Sequence, residues 1–183
     1  PAPPSAMPGV PPDKATDWRS RGSGSAAHGP FEKHIAMQDL PYTGSCLCGA
    51  IRFEIAAPLT FAEHCHCSMC RKAHGAAFST NTVVPTQALR ITRGADAISE
   101  YESSPNRRKC FCSKCGSQLF IRRTNRPDVT VVALGAIDGA PSIRPERHVF
   151  VASKASWYDI DGAGLPRYAI YPGVEPDAGG PSD

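Results

Sequence analysis

The stretch Gly44–Ile55, GSCLCGAIRFEI, sets two signals side by side. Cys46 and Cys48 flank a single residue and are followed by Gly49. Ile51, Phe53 and Ile55 then alternate with Arg52 and Glu54. A period of two is that of a strand with one buried face. A short strand that leaves a cysteine turn points to a β-rich domain organised around sulfur.

The pattern continues outward. AAFSTNTVV (76–84), ALRIT (88–92), AISEYES (97–103), SQLFIRR (117–123), VTVVALGAI (129–137) and ERHVFVAS (146–153) read as further strands. Turn signals separate them: Arg93-Gly94, Ser104-Pro105-Asn106, Asn125-Arg126-Pro127-Asp128 and Gly139-Ala140-Pro141. Short helical turns fit near 68–74 and 155–158, and no long helix is predicted. The expected class is all-β with minor short helices.

The chain has 183 residues, enough for one domain with a core. Residues 1–36 are dominated by Pro, Gly, Ser and Ala without an apolar period. They read as a disordered arm or as sequence upstream of the domain, and Met37 reads as a natural start. One domain is expected over 37–171, and residues 172–183 as a flexible tail. No apolar run approaches the roughly 20 residues of a membrane span, and no signal peptide is apparent. The expected setting is a reducing cytoplasm, where disulfides are the lesser use of cysteine. The net charge of +3 is too small to make nucleic acid the expected partner. Oligomeric state is not legible.

All eight cysteines fall in three clusters: Cys46-x-Cys48, Cys65-x-Cys67-x-x-Cys70 and Cys110-x-Cys112-x-x-Cys115. Closely spaced cysteine pairs suit two corners of a zinc tetrahedron. Cys46 and Cys48 with Cys112 and Cys115 make a closed, structural four-thiolate site. Cys65, Cys67 and Cys70 then remain as a three-thiolate set with one position open, the mark of a catalytic zinc. Alternatively His64, His66 or His74 closes that second site. His64 and His66 fall on the opposite face of an extended segment from Cys65 and Cys67. Cys110 completes no pair and reads as a semi-buried core thiol.

GSCLCGAIRFE (44–54), CHCSMCRKAHGAAF (65–78), FCSKCGSQLF (111–120) and ERHVFVASKASWYDIDGAGLPRY (146–168) together resemble the glutathione-dependent formaldehyde-activating enzyme (Gfa) family. Its domain is shared with centromere protein V. The resemblance runs over roughly residues 38–170. It implies a β-tent fold of stacked antiparallel sheets with zinc knuckles and two zinc ions. It implies structural zinc on Cys46, Cys48, Cys112 and Cys115, and catalytic zinc on Cys65, Cys67 and Cys70. The implied activity is a carbon–sulfur lyase that joins glutathione and formaldehyde into S-(hydroxymethyl)glutathione, or splits that adduct.

An open three-thiolate zinc suits this chemistry, because a coordinating thiol is deprotonated and thiolate is the nucleophile. Three thiolates on zinc carry −1 and a fourth makes −2. That favours delivery of a nucleophile over polarisation of a carbonyl. Arg71, Lys72, Arg107 and Arg108 are candidates for the glutathione carboxylates, and Asn81, Trp157 and Tyr158 for lining residues. Two other readings fit the same cysteines. One is the same zinc site acting on a different thiol adduct or small electrophile; the other is a non-enzymatic zinc-binding interaction module.

Overall fold

The computed structural model describes residues 40–161 and 164–174. The arm expected over 1–36 and residues 175–183 of the expected tail lie outside them. Among the described residues the strands are β1 (Tyr42–Ser45), β2 (Arg52–Ile55), β3 (Ala62–Cys65), β4 (Ser79–Pro85), β5 (Leu89–Arg93), β6 (Ile98–Ser104), β7 (Arg107–Cys112), β8 (Gln118–Arg123), β9 (Val129–Ala133) and β10 (His148–Val149). Helix α1 (Ser68–His74) is the short turn expected there, and the other helical pieces are single 3-10 turns. The class is all-β with minor helix, as the alternation predicts.

The strands form two sheets, one in the order β1-β2-β5 and one in the order β10-β3-β4-β9-β8-β7-β6. All pairings are antiparallel except β10 with β3. The main core collects Ile51, Phe53 and Ile55 of the smaller sheet with Val84, Leu119, Phe120 and Val132 of the larger. The alternation around Phe53 therefore buries the predicted face between the sheets.

Phe53 makes the closest fit. Its ring lies edge-on to Phe120 across the sheets at 4.9 Å. On the neighbouring strand its register partner is Gly44. A Cβ at residue 44 would lie 2.0 Å from the Phe53 ring. Glycine leaves the space that the ring occupies.

Three strands escape the alternation rule. β1 (YTGS), β3 (AEHC) and β7 (RRKCFC) carry few apolar residues, and their pairing comes from neighbours. Two predicted strands are shorter than expected. VTVVALGAI stops at Ala133 and turns through a 3-10 piece over Leu134–Ala136, which brings Ile137 opposite Gly44 and Asp138 N–H onto Thr43 O at 2.8 Å. ERHVFVAS yields only His148–Val149, because Phe150 leaves the strand with φ 57° and ψ 39°. That left-handed conformation is an outlier for a bulky residue.

A second, smaller cluster stands apart from the main core. It joins Cys65, Cys67, Cys70 and Val149 to Met69, Phe150, Tyr168 and Tyr171. The final described segment reaches it by running beside β10, with Phe150 N–H on Ile170 O at 2.9 Å and Tyr168 N–H on His148 O at 2.9 Å. No helix among the described residues is long and apolar enough to cross a membrane.

The packing at Gly44 gives a direct test by urea unfolding. Gly44→Ala is expected to lower stability by about 1–3 kcal/mol through overpacking. Phe53→Ala is expected to cost about 3–5 kcal/mol through the cavity it leaves. A Gly44→Ala protein as stable as the parent would show that the Phe53 ring is free to move.

Candidate metal centres and the adjoining cavity

Four sulfurs converge where the two sheets meet. The Sγ atoms of Cys46, Cys48, Cys112 and Cys115 all lie within 4.8 Å of one another. Cys46 follows β1 and Cys112 ends β7, so the group joins one sheet to the other. Cys46–Cys48 and Cys48–Cys112 sulfur separations are 3.5 and 3.9 Å. A zinc tetrahedron with Zn–S near 2.3 Å has an edge of about 3.8 Å. The donor set and its spacing therefore fit zinc.

The backbone is shaped to turn sulfurs inward. Gly49 and Gly116 take φ of 69° and 75°, which glycine adopts freely. Ile51 N–H points at Cys46 Sγ at 3.2 Å, and Ser117 Oγ lies 3.3 Å from Cys115 Sγ. The Ser117 hydroxyl and N–H pull the Cys115 thiol down to about 5. Cys48 moves the other way. The Ala50 N–H favours its thiolate, but the Cys46 sulfur and burial push it up to about 11. Without a cation the four sulfurs cannot shed their protons together.

The second group is Cys65, Cys67 and Cys70, all buried, with sulfurs again within 4.8 Å of one another. β3 delivers Cys65 and α1 delivers Cys70. Cys67 Sγ caps that helix by accepting the Cys70 N–H at 3.3 Å. No histidine nitrogen among the described residues joins the group. Cys65 and Cys67 donate to Cys70 and hold its thiol far below the usual range, with Lys109 reinforcing the effect. The same hydrogen bonds, with Cys67 first, push Cys65 far up.

Lys109 is the residue that sequence reasoning missed. It is only 6% exposed, and its Nζ lies 3.7 Å from Cys70 Sγ. A buried ammonium needs an opposite charge. Among the described residues no carboxylate pairs with it, so the thiol group must supply that charge. Its strand parity with Arg107, on a strand that ends in Cys112, is the one signal in the sequence that leads to it.

The three thiols line a cavity of about 230 Å³ with Arg107, Lys109, Phe150 and Tyr171. Met69, Ser103 and Lys109 also line a neighbouring cavity of about 430 Å³, which contains Lys72 and Tyr101. A larger groove of about 550 Å³ runs between His74 and Asp138 and includes none of the three thiols.

The predicted basic residues divide. Arg107 lines the thiol cavity and Lys72 the neighbouring one. Arg71 donates Nε–H to His66 O at 3.3 Å. Arg108 faces the other way, 3.6 Å from Glu100 and 4.0 Å from Glu102. Asn81 is buried and donates to Ser79 at 2.7 Å. Trp157 is 72% exposed, and Tyr158 packs on Phe78 at 5.5 Å. Cys110 is fully buried, and burial pushes its thiol up to about 11. It belongs to neither sulfur group.

His64 and His66 sit across the strand from the thiols. His64 Nδ1 meets Thr80 Oγ1 at 3.0 Å, and His66 Nε2 meets His148 Nδ1 at 2.9 Å. Burial first, and then His148, lowers both to about 4. The folded state therefore binds fewer protons than the unfolded chain below the ordinary histidine value of about 6.5. Their contribution to stability is present above about 6.5 and is lost as pH falls toward about 4. Imidazole NMR shifts are expected to show midpoints near 4 for both. Midpoints near about 6.5 would contradict this burial.

Comparison with known proteins places the chain among relatives. The model of a family described as "Glutathione-dependent formaldehyde-activating enzyme" matches residues 41–153. A protein of Halomonas elongata named "Putative glutathione-dependent formaldehyde-activating enzyme" is 34% identical over 139 residues, covering 70% of this chain and 87% of that protein. A Schizosaccharomyces pombe protein named as an uncharacterized lyase is 26% identical over 119 residues, covering 65% of this chain and 85% of its own. A crystal structure of a Rhodobacter sphaeroides protein aligns with TM-score 0.46 and 27% identity over 54% of this chain and 89% of that one.

Proposed function

Since this chain belongs to the glutathione-dependent formaldehyde-activating enzyme family, we propose that it is a zinc-dependent carbon–sulfur lyase forming or cleaving a glutathione–aldehyde adduct such as S-(hydroxymethyl)glutathione. Cys46, Cys48, Cys112 and Cys115 hold a structural zinc. Cys65, Cys67 and Cys70 would hold the second, at the wall of the cavity they line. The observation that carries the reading is Lys109, a buried cation beside a buried thiol group at the wall of a small cavity.

Zinc bound by the three thiols supplies a cation that favours the deprotonated form of a substrate thiol. The protein's own residues do the rest. Lys109 offsets negative charge on the Cys70 side. Phe150 and Tyr171 pack edge-on at 4.9 Å and narrow the cavity against water. In the forward direction a C–S bond forms and the carbonyl π pair moves to oxygen. The proton given up by the thiol ends on that oxygen. No atom changes its supply of electrons from outside, so no redox partner is required. The reverse splits the same bond. A reducing compartment such as the cytoplasm keeps all seven ligand thiols available.

Zinc analysis and turnover test the division of labour. The parent is expected to hold about two zinc ions per chain and Cys67→Ser about one, with the fold kept and turnover lost. Cys48→Ser is expected to lose soluble protein, because a structural zinc contributes folding energy. Equal behaviour of the two variants would refute the assignment.

Lys109→Met tests the counter-charge. A charge-assisted hydrogen bond of about 1.5–3 kcal/mol corresponds to a loss of roughly 10–100-fold in affinity for the second zinc, measured by chelator competition. Lys109→Arg should recover most of it. Unchanged zinc affinity in Lys109→Met would remove Lys109 from the centre.

A further inference from the structure

β7 and β8 set four arginines opposite one another in two adjacent rows. Arg108 faces Arg122, and Arg107 faces Arg123. Like charges directly opposite across antiparallel strands repel. The fold resolves the first row internally. Glu100 pairs with both members, at 3.6 Å from Arg108 and in contact with Arg122.

The second row has no such acid. Among the described residues no carboxylate forms an ion pair with Arg107 or Arg123. The Nε–H of Arg123 is buried without a hydrogen-bond partner. Glu63 is spent on Arg147 at 2.9 Å. The unresolved charge lies beside the chemistry. Arg107 lines the cavity of Cys65, Cys67 and Cys70. Arg123 is its register partner on β8 and borders the cavity of Glu100, Arg108 and Arg122, and Tyr171 in the thiol cavity feels both guanidinium charges.

We propose that Arg107 and Arg123 form a subsite for a carboxylate of the thiol substrate, which supplies the counter-charge that Glu100 supplies in the neighbouring row. The proposal rests on the thiol-adduct reading above and extends it to the residues that would select a thiol carrying a carboxylate. Guanidinium favours this ligand, because its planar fork takes both oxygens of a carboxylate. At the other side of the shared wall formed by Lys109 and Met69, Lys72 lines the adjoining cavity. A thiol with carboxylates on both sides of its sulfur suits this layout.

Calorimetric titration of the zinc-loaded full chain with glutathione and with its dimethyl ester tests this. The ester keeps the thiol and the shape but loses both negative charges. The parent is expected to prefer the acid by about tenfold or more. Arg107→Gln and Arg123→Gln should each cut that preference to about threefold or less, mainly through weaker binding of the acid. Arg123→Lys, which keeps the charge without the fork, should fall between. Arg122→Gln should keep the parent's preference. Thermal unfolding of ligand-free Arg123→Gln should show no loss of Tm, since one of two repelling charges is gone; a merely structural arginine would lower it.

Equal binding of acid and ester by the parent overturns the subsite alone. So does a preference that survives in both glutamine variants. Binding of neither thiol defeats the functional reading and the subsite with it.

Discussion

Everything else in this structure depends on the convergence of four sulfurs between the two sheets. Cys46 and Cys48 come from the turn between two strands of the smaller sheet, Cys112 from the end of β7 in the larger, and Cys115 from the turn after it. Leu47 N–H on Ser117 Oγ at 3.0 Å adds a second tie at the same point. Fixing Cys112 on the inner side of β7 fixes the parity of that strand. Arg107 and Lys109 then have to point the other way, toward the three-thiol cavity. One group of sulfurs thus positions the side chains that serve the other.

The sulfur frame and the class were legible because both rest on local rules. Ile51, Phe53 and Ile55 alternate cleanly and are buried as alternation requires. The two cysteine groups follow from spacing, and the structure brings together the residues that spacing grouped. β7 was illegible for the same reason. RRKCFC has no apolar period, so the strand itself is not announced, and the parity that links Lys109 to Arg107 cannot be used without it. Among the four basic candidates, the strand's parity separates Arg107 from Arg108, and parity needs the strand first.

The far wall of the cavity lay beyond sequence reasoning altogether. Phe150 and Tyr171 reach it only because a two-residue parallel pairing places the chain beside β3. Phe150 holds a conformation that costs a bulky residue about 1–3 kcal/mol. Its N–H bond to Ile170 and its ring contact with Tyr171 offset that cost. Local propensity argues against this turn, and only tertiary contacts sustain it.

The two sulfur groups also differ in how far apart their members lie along the chain. Cys65, Cys67 and Cys70 occupy a single short stretch, whereas Cys48 and Cys112 are 64 residues apart. Loop-closure entropy grows with that separation. An unfolded chain therefore presents the short set almost ready-made and the long set hardly at all. A cation that binds both folded and unfolded forms stabilises the fold by less than its affinity suggests. The short set would thus capture metal early and add little to folding equilibrium. The long set would bind late and act as the staple. The same ion, with the same kind of ligand, would serve one group as cargo for chemistry and the other as part of the architecture.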